Sequence, residues 1–167
     1  AYVSRGAAFG DIDNDGDTDI VVANDSGPLQ LLINNVGNRK HWVGLRLVGR
    51  ALQARQANPK GSPHDGPEDS AGSSGDNTSP VRDMTGARVE VIRADGKTLW
   101  RRSRADGSYA SAQDPRVLVG LGDAASAPRV RVRWPDGRTE EWNTVPVDRY
   151  TMLRQGSGTP VGDAGTR

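Results

Sequence analysis

The dipeptide Asp-Gly stands between short runs of alternating apolar and polar residues at Asp95-Gly96, Asp106-Gly107 and Asp136-Gly137. Alternation is the period of a strand, because successive side chains leave a strand on opposite faces. Asp-Gly supplies the positive φ that a two-residue hairpin turn needs at both central positions, so each of the three predicts a hairpin. The runs around them predict strands holding Val89 and Val91, Leu99 and Trp100, then Arg116–Leu121, Arg129–Trp134, Thr139–Trp142 and Tyr150–Leu153. Short strands with turns every 8–12 residues or so are the pattern of a small antiparallel sandwich or barrel. Composition agrees: 34% of the 167 residues are hydrophobic, with 21 Gly and 10 Pro, too little apolar material for a large helical core and many turn formers.

The first 37 residues read as strand, acidic loop, strand, turn, strand. Ile20-Val21-Val22-Ala23 is a short strand of the buried type, Asn24 to Pro28 a dense turn signal, and Leu29–Ile33 a further strand. "HWVGLRLV" (His41–Val48) is expected to be a strand with Trp42, Leu45 and Leu47 among its packing residues. Residues 51–83 hold Pro, Gly, Ser and Asp and no aromatic residue. Such a segment cannot bury enough apolar surface to offset the entropy of ordering it, and it is expected to be disordered. The Gly- and Thr-rich tail, 157–167, is expected to fray.

The loop "FGDIDNDGDTDIVVAND" places Asp11, Asp13, Asp15, Asp17 and Asp19 at alternate positions around Gly16. Like charges so close repel one another unless a cation sits among them. A tightly curled loop turns every second side chain inward, and Gly16 permits the sharp reversal after Asp15. The candidate ligands are the side chains of Asp11, Asp13 and Asp15, the backbone carbonyl of Asp17, and Asp19 directly or through water. An all-oxygen set favours Ca2+. Zinc and copper would want His or Cys, and magnesium a stricter octahedron. This is not an EF-hand, because the twelfth position, where a bidentate Glu belongs, is Val22 and the flanks carry no helical period.

With these residues in hand, two resemblances stand out. Residues 5–35 resemble an FG-GAP or VCBS-type repeat, a calcium-carrying β-propeller blade also seen in integrin α subunits. The match runs through Phe9-Gly10, Asp11, Asp13, Asp15, Gly16 and Asp19. Residues 38–154 resemble an ASPIC/UnbV domain of the kind found in cartilage acidic protein and in many bacterial exported proteins. The matching pieces are "NRKHWVGLRLVG", "GARVEV", "GSYASAQDPRVLVGLGDA", "VRVRWPDGRTEEW" and "NTVPVDRYTML". The resemblance implies an all-β chain with a partial propeller blade at 1–37 and a small β-sandwich or barrel at 38–156, into which 51–83 is inserted. A lone blade cannot close a propeller, so upstream blades of a longer parent chain are expected. It also implies a calcium-binding, non-enzymatic interaction or adhesion-type module that is extracellular, periplasmic or at the cell surface, with an extracellular protein or a glycan as partner.

Net charge is +1, so no global field draws nucleic acid. No apolar run reaches the roughly 20 residues of a membrane span. Cysteine is absent, which removes disulfides, Cys-zinc sites and Cys nucleophiles together. "VLVGLGDAA" (Val117–Ala125) imitates a dinucleotide-binding turn, but Ala127-Pro128 and a further strand follow where a helix should open. "LWRRSR" (Leu99–Arg104) is read as a solvated strand face. His41 and His64 lack a nucleophile partner in sequence. Trp42, Trp100, Trp134 and Trp142 admit a sugar-stacking platform, and the alternative function is a glycan-binding accessory domain of a carbohydrate-active enzyme. That reading needs a concave site with carboxylates such as Glu140 or Glu141 near Trp142. Packing is the commoner fate of such aromatics.

Overall fold

A computed structural model describes residues 2–50, 81–107, 109 and 111–162. The fold is all-β. Four strands flank or follow the acidic loop and the first turn: β1 (Val3–Gly10), β2 (Asp19–Asp25), β3 (Gln30–Leu32) and β4 (His41–Arg50). A single 3-10 turn, Gly37–Arg39, separates β3 from β4. The remaining strands are β5 (Val81–Asp83), β6 (Arg88–Ile92), β7 (Thr98–Arg102), β8 (Ala112–Gln113), β9 (Val117–Gly122), β10 (Arg129–Arg133), β11 (Thr139–Trp142), β12 (Tyr150–Arg154) and β13 (Thr159–Pro160). No helix among the described residues is long and apolar enough to cross a membrane.

Two sheets enclose the core. One runs β13-β11-β10-β6-β7. The other is built on β4, with β12 along one edge and β9 and β5 along the other. The alternation read from the sequence becomes the core: Val43, Leu45 and Leu47 of β4 meet Val89, Val91, Val130 and Val132 of the facing sheet. Val117, Val119, Leu121, Trp134 and Leu153 complete it. Burying each of these side chains contributes about 1.5–3 kcal/mol. The third sheet, β3-β2-β1-β8, lies outside this core. There Ile20, Val21 and Val22 are only half-buried and Ala23 is exposed, short of the buried-type strand expected.

Details of pairing and turns depart from the sequence-based expectations. Pairing is not wholly antiparallel, since β12 runs parallel to β4 and β8 parallel to β1. The long connections leading into both strands allow it. The Asp-Gly turns are not two-residue turns. Gly96 and Gly137 take positive φ, but Asp95 and Asp136 do not. Gly96 N donates to Arg93 O, and Arg93 N to Lys97 O. The loops are therefore three-residue loops, Ala94-Asp95-Gly96 and Pro135-Asp136-Gly137, closed by Gly in the left-handed region. Asp106-Gly107 makes no tight hairpin. Asp106 bridges Ala112 instead.

Of the segment expected to be disordered, residues 51–80 lie outside the described residues. Val81–Asp83 pairs with Val48–Arg50, on the length of β4 that β9 leaves free. The tail is not frayed at its start: β13 pairs with β11, and Val161 N donates to Thr139 O at 2.9 Å. Residues 163–167 lie outside the described residues.

Candidate metal centre

The acidic loop joins β1 to β2, whose antiparallel pairing from Gly10↔Asp19 to Val3↔Asp25 fixes its two ends. Between them the backbone coils, with Asn14 at φ 63° and Gly16 at φ 99°. Asp11 stitches the coil together: its Oδ1 accepts from Asp15 N at 3.1 Å and its Oδ2 from Gly16 N at 3.0 Å. Asp11, Asp13 and Asp15 bring carboxylate oxygens within 4.8 Å of one another.

Asp17 and Asp19 sit differently. Asp17 turns its side chain toward the 3-10 turn, where Oδ2 accepts from Asn38 N at 3.2 Å. Its Oδ1 is buried with no hydrogen-bond partner among the described residues. Asp19 is fully buried, and its two oxygens accept from Ile12 N at 2.8 Å and Asn34 N at 2.9 Å. Asp19 therefore braces the loop against the start of β2 and the end of β3. Asp13 is exposed, and Asp15 also accepts from Asn38 Nδ2 at 2.5 Å.

The electrostatics are those of a crowded anion. Burial, and then the charge of Asp15, holds the Asp17 carboxyl above the usual range. Desolvation by its neighbours, and then Asp15 and Asp19, does the same to Asp13. The donor set is entirely hard oxygen, and an oxygen that accepts a single bond, as Asp11 Oδ1 does, keeps a lone pair for a cation. The residues present therefore fit a divalent hard cation held by Asp11, Asp13 and Asp15.

The loop is seated on the sandwich by residues that the local spacing does not reveal. Tyr150, the first residue of β12, donates its hydroxyl to Asp11 Oδ2 at 2.9 Å across a separation of 139 residues. Burial and the Asp11 carboxylate push that hydroxyl well above its ordinary pKa, so it remains a donor. Arg116 donates to Asn14 Oδ1 and to the Asp11 carbonyl, both at 2.5 Å, and to Asp114 Oδ2 at 2.6 Å. Its guanidinium lies 4.1 Å from the centre of the Tyr150 ring. Trp42, on the outer face of β4, stands edge-on to Tyr150 with ring centroids 5.3 Å apart, and Gly16 rests on its indole. No sequence pattern marks Tyr150 or Arg116 as partners of this loop. The parallel β12–β4 pairing places one, and the strand at β9 places the other just before its start.

The other sequence motifs resolve as packing. Trp42 and Trp134 are buried, and Trp142 packs edge-on against Trp134 with centroids 6.3 Å apart. The four tryptophans thus form no common platform, and Trp100 alone of them is exposed. Glu140 is buried and accepts from Gly156 N and Gly158 N, and Glu141 pairs with Arg129 and Arg131. Val117–Gly122 is strand β9, and no helix follows it before β10. His41 Nδ1 lies 2.7 Å from Asp148 Oδ2, while His64 lies outside the described residues. Among known families, the one described as ASPIC and UnbV matches residues 76–160. No curated protein matches the chain.

Proposed function

The chain belongs to the ASPIC and UnbV family, and on that premise we propose that it is a calcium-stabilised, non-enzymatic interaction module of an exported or surface-displayed protein. The observation that carries the reading is the convergence of Asp11, Asp13 and Asp15 within 4.8 Å. Bound there, calcium supplies positive charge to carboxylates that otherwise repel one another. The chain's own residues do the rest. Asp19 ties the loop to both neighbouring strands, while Tyr150 and Arg116 tie it to the sandwich. Order in the loop is thereby coupled to order in the domain beneath it.

In the same reading, β1–β3 is one blade fragment of the FG-GAP or VCBS type. Leu29, Leu31, Leu32 and Ile33 are exposed on it, as apolar surface awaiting upstream blades would be. The partner is an extracellular protein or glycan.

Thermal unfolding with calcium, with magnesium and with chelator tests the metal. Calcium is expected to raise the midpoint most, by the equivalent of about 2.7 kcal/mol at a hundredfold excess over Kd. Asp13 is exposed, and an amide oxygen can still accept the backbone hydrogen bond from Asp15, so Asp13→Asn should abolish the calcium response and leave the chelated midpoint no lower. Equal midpoints under all three conditions would remove the metal from the reading.

A further inference from the structure

Sheet β13-β11-β10-β6-β7 buries Val89, Val91, Val130 and Val132 on its inner face. The residues alternating with them point outward. Register arranges these outward residues in rows. In one row Arg102 lies opposite Arg88, and Arg88 opposite Arg133. In the next, Trp100, Glu90, Arg131 and Glu141 follow one another across four strands. That second row is internally neutralised: Arg131 pairs with Glu90 at 3.2 Å and Glu141 at 2.9 Å, and Arg129 reaches Glu141 at 3.5 Å.

The first row is not neutralised. Arg88, Arg102 and Arg133 are all exposed, and none pairs with a carboxylate among the described residues. Like charges directly opposite one another destabilise a sheet. Three in line therefore work against the fold and gain nothing from it. Trp100 stands beside them, 58% exposed.

We propose that this row binds an anionic polysaccharide bearing sulfate or carboxylate groups, with Trp100 stacking on a sugar ring alongside. Guanidinium groups hold sulfate and carboxylate through paired N–H donors. They are spread over about 10 Å, two strand spacings of about 4.8 Å each, on an open face that suits an extended chain. Glu90 and Glu141 lie one row away, about 7 Å along the strands, and the lone pairs that their pairing with Arg131 leaves over can accept from sugar hydroxyls. Single-stranded nucleic acid is usually gripped by successive aromatic platforms, and this face shows one exposed aromatic among the described residues.

Calorimetric titration of the full chain with a heparin oligosaccharide tests the site. Chelator is present throughout, so that the acidic loop and this face are read separately. Heparin should bind, an uncharged dextran should not, and a single-stranded oligonucleotide should bind roughly tenfold more weakly than heparin or worse. The variant Arg88→Gln/Arg102→Gln/Arg133→Gln should weaken heparin binding roughly tenfold or more and lower the slope of log affinity against log salt by about three. It should melt no lower than the parent, because it relieves repulsion. Arg5→Gln/Lys40→Gln/Arg138→Gln removes equal charge elsewhere and should keep affinity within about twofold. Trp100→Ala should weaken binding severalfold. Absence of heparin binding, an equal loss in the second triple variant, no loss in Trp100→Ala, or oligonucleotide binding as tight as heparin would each overturn the proposal.

Discussion

Gly16 does two jobs that no other residue type can combine. Its φ of 99° lies in the left-handed region, and a Cβ there would stand 2.1 Å from Trp42 Nε1. Gly96 shares the first condition, with φ 80°, but has open space around it. The two sites separate backbone strain from steric exclusion. Gly96→Ala should cost about 1 kcal/mol, the left-handed penalty alone. Gly16→Ala should cost about 3 kcal/mol, because the indole must also move. Urea denaturation checks this, with the midpoint falling and the slope unchanged. Equal losses at the two sites would mean that the loop does not rest on Trp42.

Among the elements, β13 shows how a two-residue strand becomes necessary. Glu140 sits on the buried face of β11, and its carboxylate accepts from Gly156 N and Gly158 N. Gly158 lies against the Trp142 ring, where a Cβ would come within 2.8 Å of it. The tail therefore satisfies a buried charge and covers an aromatic at once. Ending the chain at Gln155 should cost about 3 kcal/mol, since the carboxylate loses its charge-assisted hydrogen bonds. Glu140→Gln should recover part of that loss in the shortened chain and destabilise the full one. Chemical denaturation of the four proteins gives the coupling.

Across the molecule, the acidic loop and the sandwich meet through Trp42, Tyr150 and Arg116, residues from β4, β12 and the approach to β9. Calcium should therefore slow amide exchange in β4 as well as in β1 and β2. In Tyr150→Phe/Arg116→Ala the effect on β4 should shrink to what the Gly16–Trp42 contact alone carries. Exchange followed by mass spectrometry reads this directly. The strands, the core valines and the aspartate spacing could all be read from local pattern, because period-two burial and alternate carboxylates are short-range properties. Residues whose partners lie far along the chain could not. Nothing near Glu140 announces the amides of Gly156 and Gly158, and nothing near Arg88 or Arg102 announces Arg133. Nor does Asp11 point to Tyr150, 139 residues away. Pattern along the chain settles which side chains go inward. Strand order and register settle which of them touch, because only packing the sheets together brings distant charges and rings within reach.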